Sequence, residues 1–147
     1  METFVTQKPK SSKLFVEVRV FYKDLARTWV IKEEANSNTP QKQTLRDSIP
    51  GNGNIDFFEA GATKLFSGLN KIVVVTYLDI HKVSDVDKFI SDLKIEYQIV
   101  EDDDIPGHFF ENKTYTCKKE EMIVSDAKES LLITKVIEIQ WNSHLSH

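Results

Sequence analysis

Few residues in this chain have the types and spacing that chemistry needs. In "LDIH", Asp79 and His81 stand two apart, so on an extended backbone both side chains point to one face. A carboxylate that orients an imidazole is the heart of general acid–base catalysis, and the ends of strands are frequent sites for it. "EDDDIPGH" gathers Glu101, Asp102, Asp103 and Asp104 with His108 in a turn. Oxygen-rich loops can hold magnesium or calcium, and His108 with Asp104 could form a second acid–base pair. An acidic run bounded by Pro-Gly is more often a solvated loop, or one that faces a basic partner. Cys117 sits beside Lys118 and Lys119, whose charge would lower a thiol pKa; a half-buried, inert thiol is the commoner state. His144 and His147, in "NSHLSH", could chelate a metal only adventitiously. The chain contains no nucleophile elbow, Gly-rich phosphate loop or His-Glu-x-x-His helix. No catalytic residue, metal site or cofactor is assigned from sequence.

One stretch, "SIPGNGNIDFFE" from Ser48 to Glu59, resembles the second half of a calcium-binding EF-hand loop. With Glu59 at the twelfth position, Asn52, Gly53, Ile55 and Asp56 fall where that pattern wants an oxygen ligand, a glycine, an apolar residue and a further oxygen. The first half departs from it: Ser48 and Pro50 stand where two acidic ligands belong, and the incoming segment is a poor helix. The reading preferred is a Pro-Gly and Asn-Gly turn that leads into the next element, with Asn54 or Asp56 capping it. Asn52, Asp56 and Glu59 are the residues a cation would need.

The elements that must position these groups follow from composition and periodicity. The chain has 147 residues, 40% hydrophobic and 29% charged, the balance of one globular domain with a real core. A formal net charge of −4 offers no general attraction to a phosphate backbone and argues against nucleic acid as a partner. The single cysteine excludes an intramolecular disulfide. No signal-like or membrane-spanning apolar run stands out, so the expectation is a cytoplasmic protein, without membrane attachment.

Residues 1–12 are polar and lack periodicity, which suggests a flexible arm before a single domain at 13–141, with 142–147 a flexible tail. In "KLFVEVRVFY" Leu14, Val16, Val18, Val20 and Tyr22 alternate with Phe15, Glu17, Arg19, Phe21 and Lys23, the pattern of a half-buried strand. "RTWVIKEE" reads as its antiparallel return. A polar connection of some 20 residues then leads to "FFEAGATKLFSGL", where Phe58, Ala62, Leu65, Phe66 and Leu69 fall at helical spacing. "KIVVVTYLDI" is a near-continuous apolar run, as in a central strand. "VSDVDKFISDLKI" is the clearest helix, with Ser84 as N-cap and Val86, Phe89, Ile90 and Leu93 on one face. "EYQIV", "KTYTCKKEEMIV" and "LLITKVIEIQW" complete the strands; in the last, Lys135 interrupts an apolar face. The fold expected is α+β: a largely antiparallel sheet with one or two helices packed on one face.

The weight of these features falls on a non-catalytic interaction or assembly subunit that self-associates or binds a protein partner. A virion component such as a head–tail or neck protein would fit that design. Lys8, Lys10 and Lys13 of the arm would dock on Glu101, Asp102, Asp103 and Asp104 of a neighbour. Two alternatives are an inhibitor or immunity-type module presenting the acidic loop to a basic target, and a small metal-assisted enzyme using Asp79, His81 and His108. The enzyme requires those residues to converge on one pocket.

Overall fold

Alternate burial along extended segments organises the protein. A computed structural model describes residues 2–34, 41–49, 51–68, 70–103 and 105–141; Asp104 and the 142–147 tail, with His144 and His147, lie outside the described residues. The strands are β1 (Glu2–Thr6), β2 (Lys13–Phe21), β3 (Ala26–Glu34), β4 (Gln41–Asp47), β5 (Ile55–Ala62), β6 (Lys71–Asp79), β7 (Lys94–Asp102), β8 (Phe109–Thr116), β9 (Met122–Val124) and β10 (Ser130–Trp141). One helix, α1 (Val86–Asp92), and two 3-10 turns at Thr63–Phe66 and Lys119–Glu121 complete the described elements.

The strands form two sheets. The larger has the order β1-β10-β6-β3-β4, with β9 also paired to β10, and the smaller has the order β5-β2-β7-β8. Pairing is antiparallel throughout, except between β1 and β10. The sheets face one another across one core. Val30, Ile72, Val74, Leu78, Leu131, Ile133 and Ile137 come from the larger sheet; Leu14, Val16, Val18, Ile95, Tyr97 and Ile99 come from the smaller. Two opposed sheets bury the inner residue of every alternating pair, which is why β2 reads as it does.

The α+β expectation is therefore corrected: the protein is mostly β, and among the described residues no helix covers a sheet face. The segment that reads as a helix, "FFEAGATKLFSGL", is instead most of β5 followed by a 3-10 turn. Gly61 there has φ +140°, outside the helical region. The free edge of β2 supplies hydrogen bonds for β5, with shifts of register at Leu14/Phe15 and Val16/Val18. Those shifts break the alternation that would have marked a strand. The true helix starts one residue later than its sequence suggests: Asp85, not Ser84, is the N-cap and accepts the Lys88 N–H at 3.1 Å. Helix α1 is not a crossover between two strands of one sheet. It carries the chain from β6 in the larger sheet to β7 in the smaller, with Val86, Phe89 and Ile90 against the rim of the core and Phe89 edge-on to Tyr22.

Two segments that read as irregular carry strands. The polar connection contains β4, whose residues are mostly exposed; an edge strand with little to bury has no apolar alternation to reveal it. The first twelve residues, where the sequence suggests an arm, contain β1, with Phe4 fully buried between the sheets.

Candidate functional site

Glu101 is the residue of the acidic run whose setting differs most from a solvated loop. It points inward from β7 and is fully buried. One carboxylate oxygen accepts the Gln7 N–H at 2.6 Å; the other accepts the Lys8 N–H at 3.0 Å and the Ser12 hydroxyl at 2.6 Å. Ser12 Oγ also lies 2.7 Å from Thr63 Oγ1. Three charge-assisted hydrogen bonds hold the β1–β2 connection against the end of the smaller sheet. The segment thus meets the acidic run of its own chain, and it does so through backbone amides. The Lys8 and Lys10 side chains are exposed. Lys13 pairs with Glu59 at 3.1 Å and stands across from Asp102 in the β2–β7 register. Asp103 accepts the Ile105 N–H and lies 3.0 Å from His108 Nδ1; the His108 hydrogen bond holds its carboxyl below the usual range.

Asp79 and His81 do meet, with Nδ1 2.5 Å from Oδ1. The imidazole and the His81 N–H together hold the Asp79 carboxyl below its ordinary value. They share a shallow depression of about 480 Å³ with Tyr77, Ser125, Glu129 and Ser130. Ser125 Oγ is engaged in the turn before β10, accepting the Glu129 and Ser130 N–H groups. His108 is at the other end of the molecule. Asp79 is opposite Ser130, where β10 begins. Asp103 follows the strand whose Glu101 holds Gln7, next to Thr6, and Thr6 is opposite Trp141 at the far end of β10. Over a strand of this length the separation is about 30 Å. Asp79, His81 and His108 do not converge, and the geometry required of the enzyme alternative is missing.

The calcium look-alike is a sheet-to-sheet connection. Gly51 bridges to Ala26, and Asn54 Oδ1 accepts the Val20 N–H at 2.7 Å. Asn52 Oδ1 accepts the Asn54 N–H, and Glu59 pairs with Lys13. Asn52 and Asn54 thus spend their side-chain oxygens on backbone N–H groups, Glu59 is turned to Lys13 of the neighbouring strand, and among the described residues no cluster of acidic, histidine or cysteine side chains is arranged for a metal. Cys117 is likewise structural in setting: burial pushes its thiol pKa up, against the lowering expected from Lys118 and Lys119, and Sγ lies 3.6 Å from Leu93 O.

Lys135, the interruption in the last strand, is fully buried on the core face of β10. Its ammonium donates to Thr116 O at 2.8 Å and to Glu121 Oε2 at 3.0 Å, and it pairs with Glu2. An ammonium has three N–H bonds, and three acceptors surround this one. Saturated in this way, Lys135 is a tie between β1, β10 and the Lys119–Glu121 turn rather than a nucleophile. Burial nevertheless opposes ionisation of Glu2, but the hydrogen bond and charge of Lys135, with Lys118, bring its carboxyl below the ordinary value.

The feature that sequence motifs do not reveal is the outer face of the larger sheet. Register places four rows across β4, β3, β6 and β10. Lys42, Glu33, Lys71 and Glu138 form the first; Thr44, Ile31, Val73 and Val136 the second. Asp47, Trp29, Val75 and Thr134 form the third, and Arg27, Tyr77 and Leu132 the fourth, extended by Ile123 of β9. The middle of this face is aliphatic and aromatic. Val73 at its centre is buried, Trp29, Ile31, Val75, Tyr77 and Val136 are partly buried, and Leu132 and Ile123 are exposed, Ile123 to 68%. Arg27 stacks over Trp29 at 4.8 Å and forms a two-pronged bond with Asp47, which holds that carboxyl below its ordinary value. A groove of about 620 Å³ runs beside β10, its apolar floor of Ile123 and Val136 bordered by Glu33 and Lys71 on one side and by Glu2, Lys118, Glu120 and Glu121 at the sheet edge. The opposite sheet differs. Glu17, Gln98 and Thr114 in one row and Arg19, Glu96 and Thr116 in the next make its outer centre polar, with Phe15 and Val100 in the row on one side and the exposed Phe21 beyond the other. The apolar run "KIVVVTYLDI" was the available signal: such a run is characteristic of a strand covered on both faces.

Comparison with protein-family models, with characterised proteins and with solved structures finds no match.

Proposed function

We propose that this protein is a non-catalytic interaction or assembly subunit that engages its partner through the outer face of the larger sheet. The observation that carries this reading is the apolar centre of that face, from Trp29 and Ile31 across Val73 and Val75 to Val136 and Leu132. A sheet that faces water on one side normally alternates apolar and polar residues, as β2 does from Val16 to Val20. Here β6 is apolar on both sides, and contiguous apolar surface rimmed by charge is the mark of a protein contact. On the smaller sheet the outward Phe15 and Phe21 are separated by Glu17 and Arg19, and the two Asp–His pairs lie apart, so neither forms a comparable contiguous patch. Among the described residues no helix is long and apolar enough to cross a membrane.

The test is the native size of the tagged chain in extracts of its source. The wild type is expected to run in a complex heavier than 16.9 kDa. Leu132→Glu with Val136→Glu should release it, while Arg19→Glu with Glu96→Lys on the opposite face should not. A wild-type chain that runs alone, or a complex released only by changes on the smaller sheet, overturns the reading.

A further inference from the structure

The first row of the outer face alternates in sign: Lys42 on β4, Glu33 on β3, Lys71 on β6 and Glu138 on β10. We infer that the occupant of this face is a second copy of the chain, related by a two-fold axis that runs parallel to the strands between β3 and β6. This rests on the reading of the face as an interaction surface and specifies what it binds.

The argument is one of symmetry. A two-fold interface is self-complementary, because each residue of one copy meets its counterpart from the other. Turning the sheet over about an axis between β3 and β6 lays β10 of the second copy on β4 of the first, and β6 on β3. Lys42 then faces Glu138, Glu33 faces Lys71, and both pairs occur twice. All four charges of the row meet an opposite charge. The same operation sets Ile31 on Val73 and Trp29 on Val75 in the second and third rows, and brings Arg27 to the ring of Tyr77 in the fourth.

Neighbouring arrangements fail. Moving the axis onto β6 stacks Lys71 on Lys71 and Glu33 on Glu138. An axis across the strands lays the charged row on the row containing Tyr77 and Leu132, which strips water from charges without pairing them. Sheets stacked along their strand directions, offset by about 30°, are also the ordinary packing of two β-faces. Four strands, β4 to β10, overlap under this operation and span about 19 Å, and the four rows with their side chains about 24 Å. That is roughly 460 Å² per copy, or about 900 Å² in total, the size of a weak, reversible interface.

The purified full-length chain is expected to be a dimer by light scattering, twice 16.9 kDa. An all-basic row, Glu33→Lys with Glu138→Lys, and an all-acidic row, Lys42→Glu with Lys71→Glu, should each weaken self-association about tenfold or more. Mixed one to one, these two proteins should pair with each other. A second measurement does not depend on variants: zero-length carbodiimide coupling of mixed light and ¹⁵N-labelled wild type should join Lys42 to Glu138 in peptides of mixed label. Within one chain those residues are three strand spacings, about 14 Å, apart. A wild type that stays monomeric overturns the second copy as occupant, and the complex formed in extracts then decides separately whether the face binds another protein. A dimer indifferent to both variants, with no Lys42–Glu138 link, uses a different surface and overturns the inference as well.

Discussion

Lys135 shows how one side chain can stand where chemistry is expected and serve the fold. A buried ammonium alone would be unstable, and here Glu2, Glu121 and the Thr116 carbonyl surround it. Removing one member of such a set leaves charge buried without compensation. Lys135→Ala is therefore expected to cost about 3–5 kcal/mol, read as a lower urea midpoint. The carboxylates also set the response to acid. Glu2, Asp47, Asp79 and Asp103 all have folded pKa values below their ordinary ones. A group depressed on folding contributes stability that is complete above its unfolded pKa and is lost as pH falls through the folded value. Urea midpoints measured between pH 6 and pH 2 should hold down to about pH 4–5, near the unfolded carboxylate values, then fall. The basic side is governed by tyrosines: burial raises the pKa of Tyr22, Tyr97 and Tyr115. The unfolded chain then loses these protons first, so stability should decline above about pH 10. Phenolate absorbance from Tyr97 and Tyr115 is expected to appear only with unfolding.

At the scale of elements, the connections matter as much as the strands, because the chain changes sheet six times, after β1, β2, β4, β5, β6 and β8. The β4–β5 connection depends on Gly53. Its φ is +78°, and a Cβ there would lie 2.9 Å from Ala26 Cβ and 3.2 Å from Val20 Cγ2. Gly68 has nearly the same φ, +77°, with nothing within 4 Å of its missing Cβ. The pair separates backbone strain from crowding. Gly68→Ala should cost about 1–2 kcal/mol, and Gly53→Ala about 1–3 kcal/mol more, both measured by denaturant unfolding. The β1–β2 connection depends on Glu101. Glu101→Ala leaves the Gln7 and Lys8 N–H groups and the Ser12 hydroxyl without their acceptor, a loss of several kcal/mol. Amide exchange at Gln7 and Lys8 should accelerate in that variant while the centre of β6 stays protected.

For the whole molecule, β1 is part of the closure between the two sheets. Phe4 fills the core, and the Tyr115 hydroxyl and the Lys113 ammonium both donate to Thr3 O, joining β8 of the smaller sheet to β1 of the larger. Phe4→Ala is expected to cost about 3–5 kcal/mol. Deleting residues 1–12 should lower the melting temperature at every protein concentration, whereas removal of a clasp between copies would alter mass and leave the isolated domain stable. Self-association, if lost with that deletion, would follow from loss of the fold.

Single elements were legible in the sequence but the fold class was not, and the failures have definite causes. The alternation from Leu14 to Val20 and the apolar run at residues 72–75 reflect local burial, so β2 and β6 could be read directly. Likewise α1 carried its own cap and apolar face within a dozen residues. What the chain could not express locally was partnership. β5 became a strand because β2 had an unfilled edge, and β4 because β3 did; neither has a clean periodic signal of its own. Glu101 belonged by composition to a solvated acidic run, yet the inward phase of β7 carried it beneath Gln7 and Lys8. Sequence alone determined the residue types, their periods and the absence of the catalytic motifs sought. Only tertiary structure decided that β3, β4, β6 and β10 would stand side by side in this register. Residues up to 105 positions apart in the chain, Glu33 and Glu138, thereby came into one row of alternating charge. Register is set by which faces the core buries, and no window along the chain contains that information.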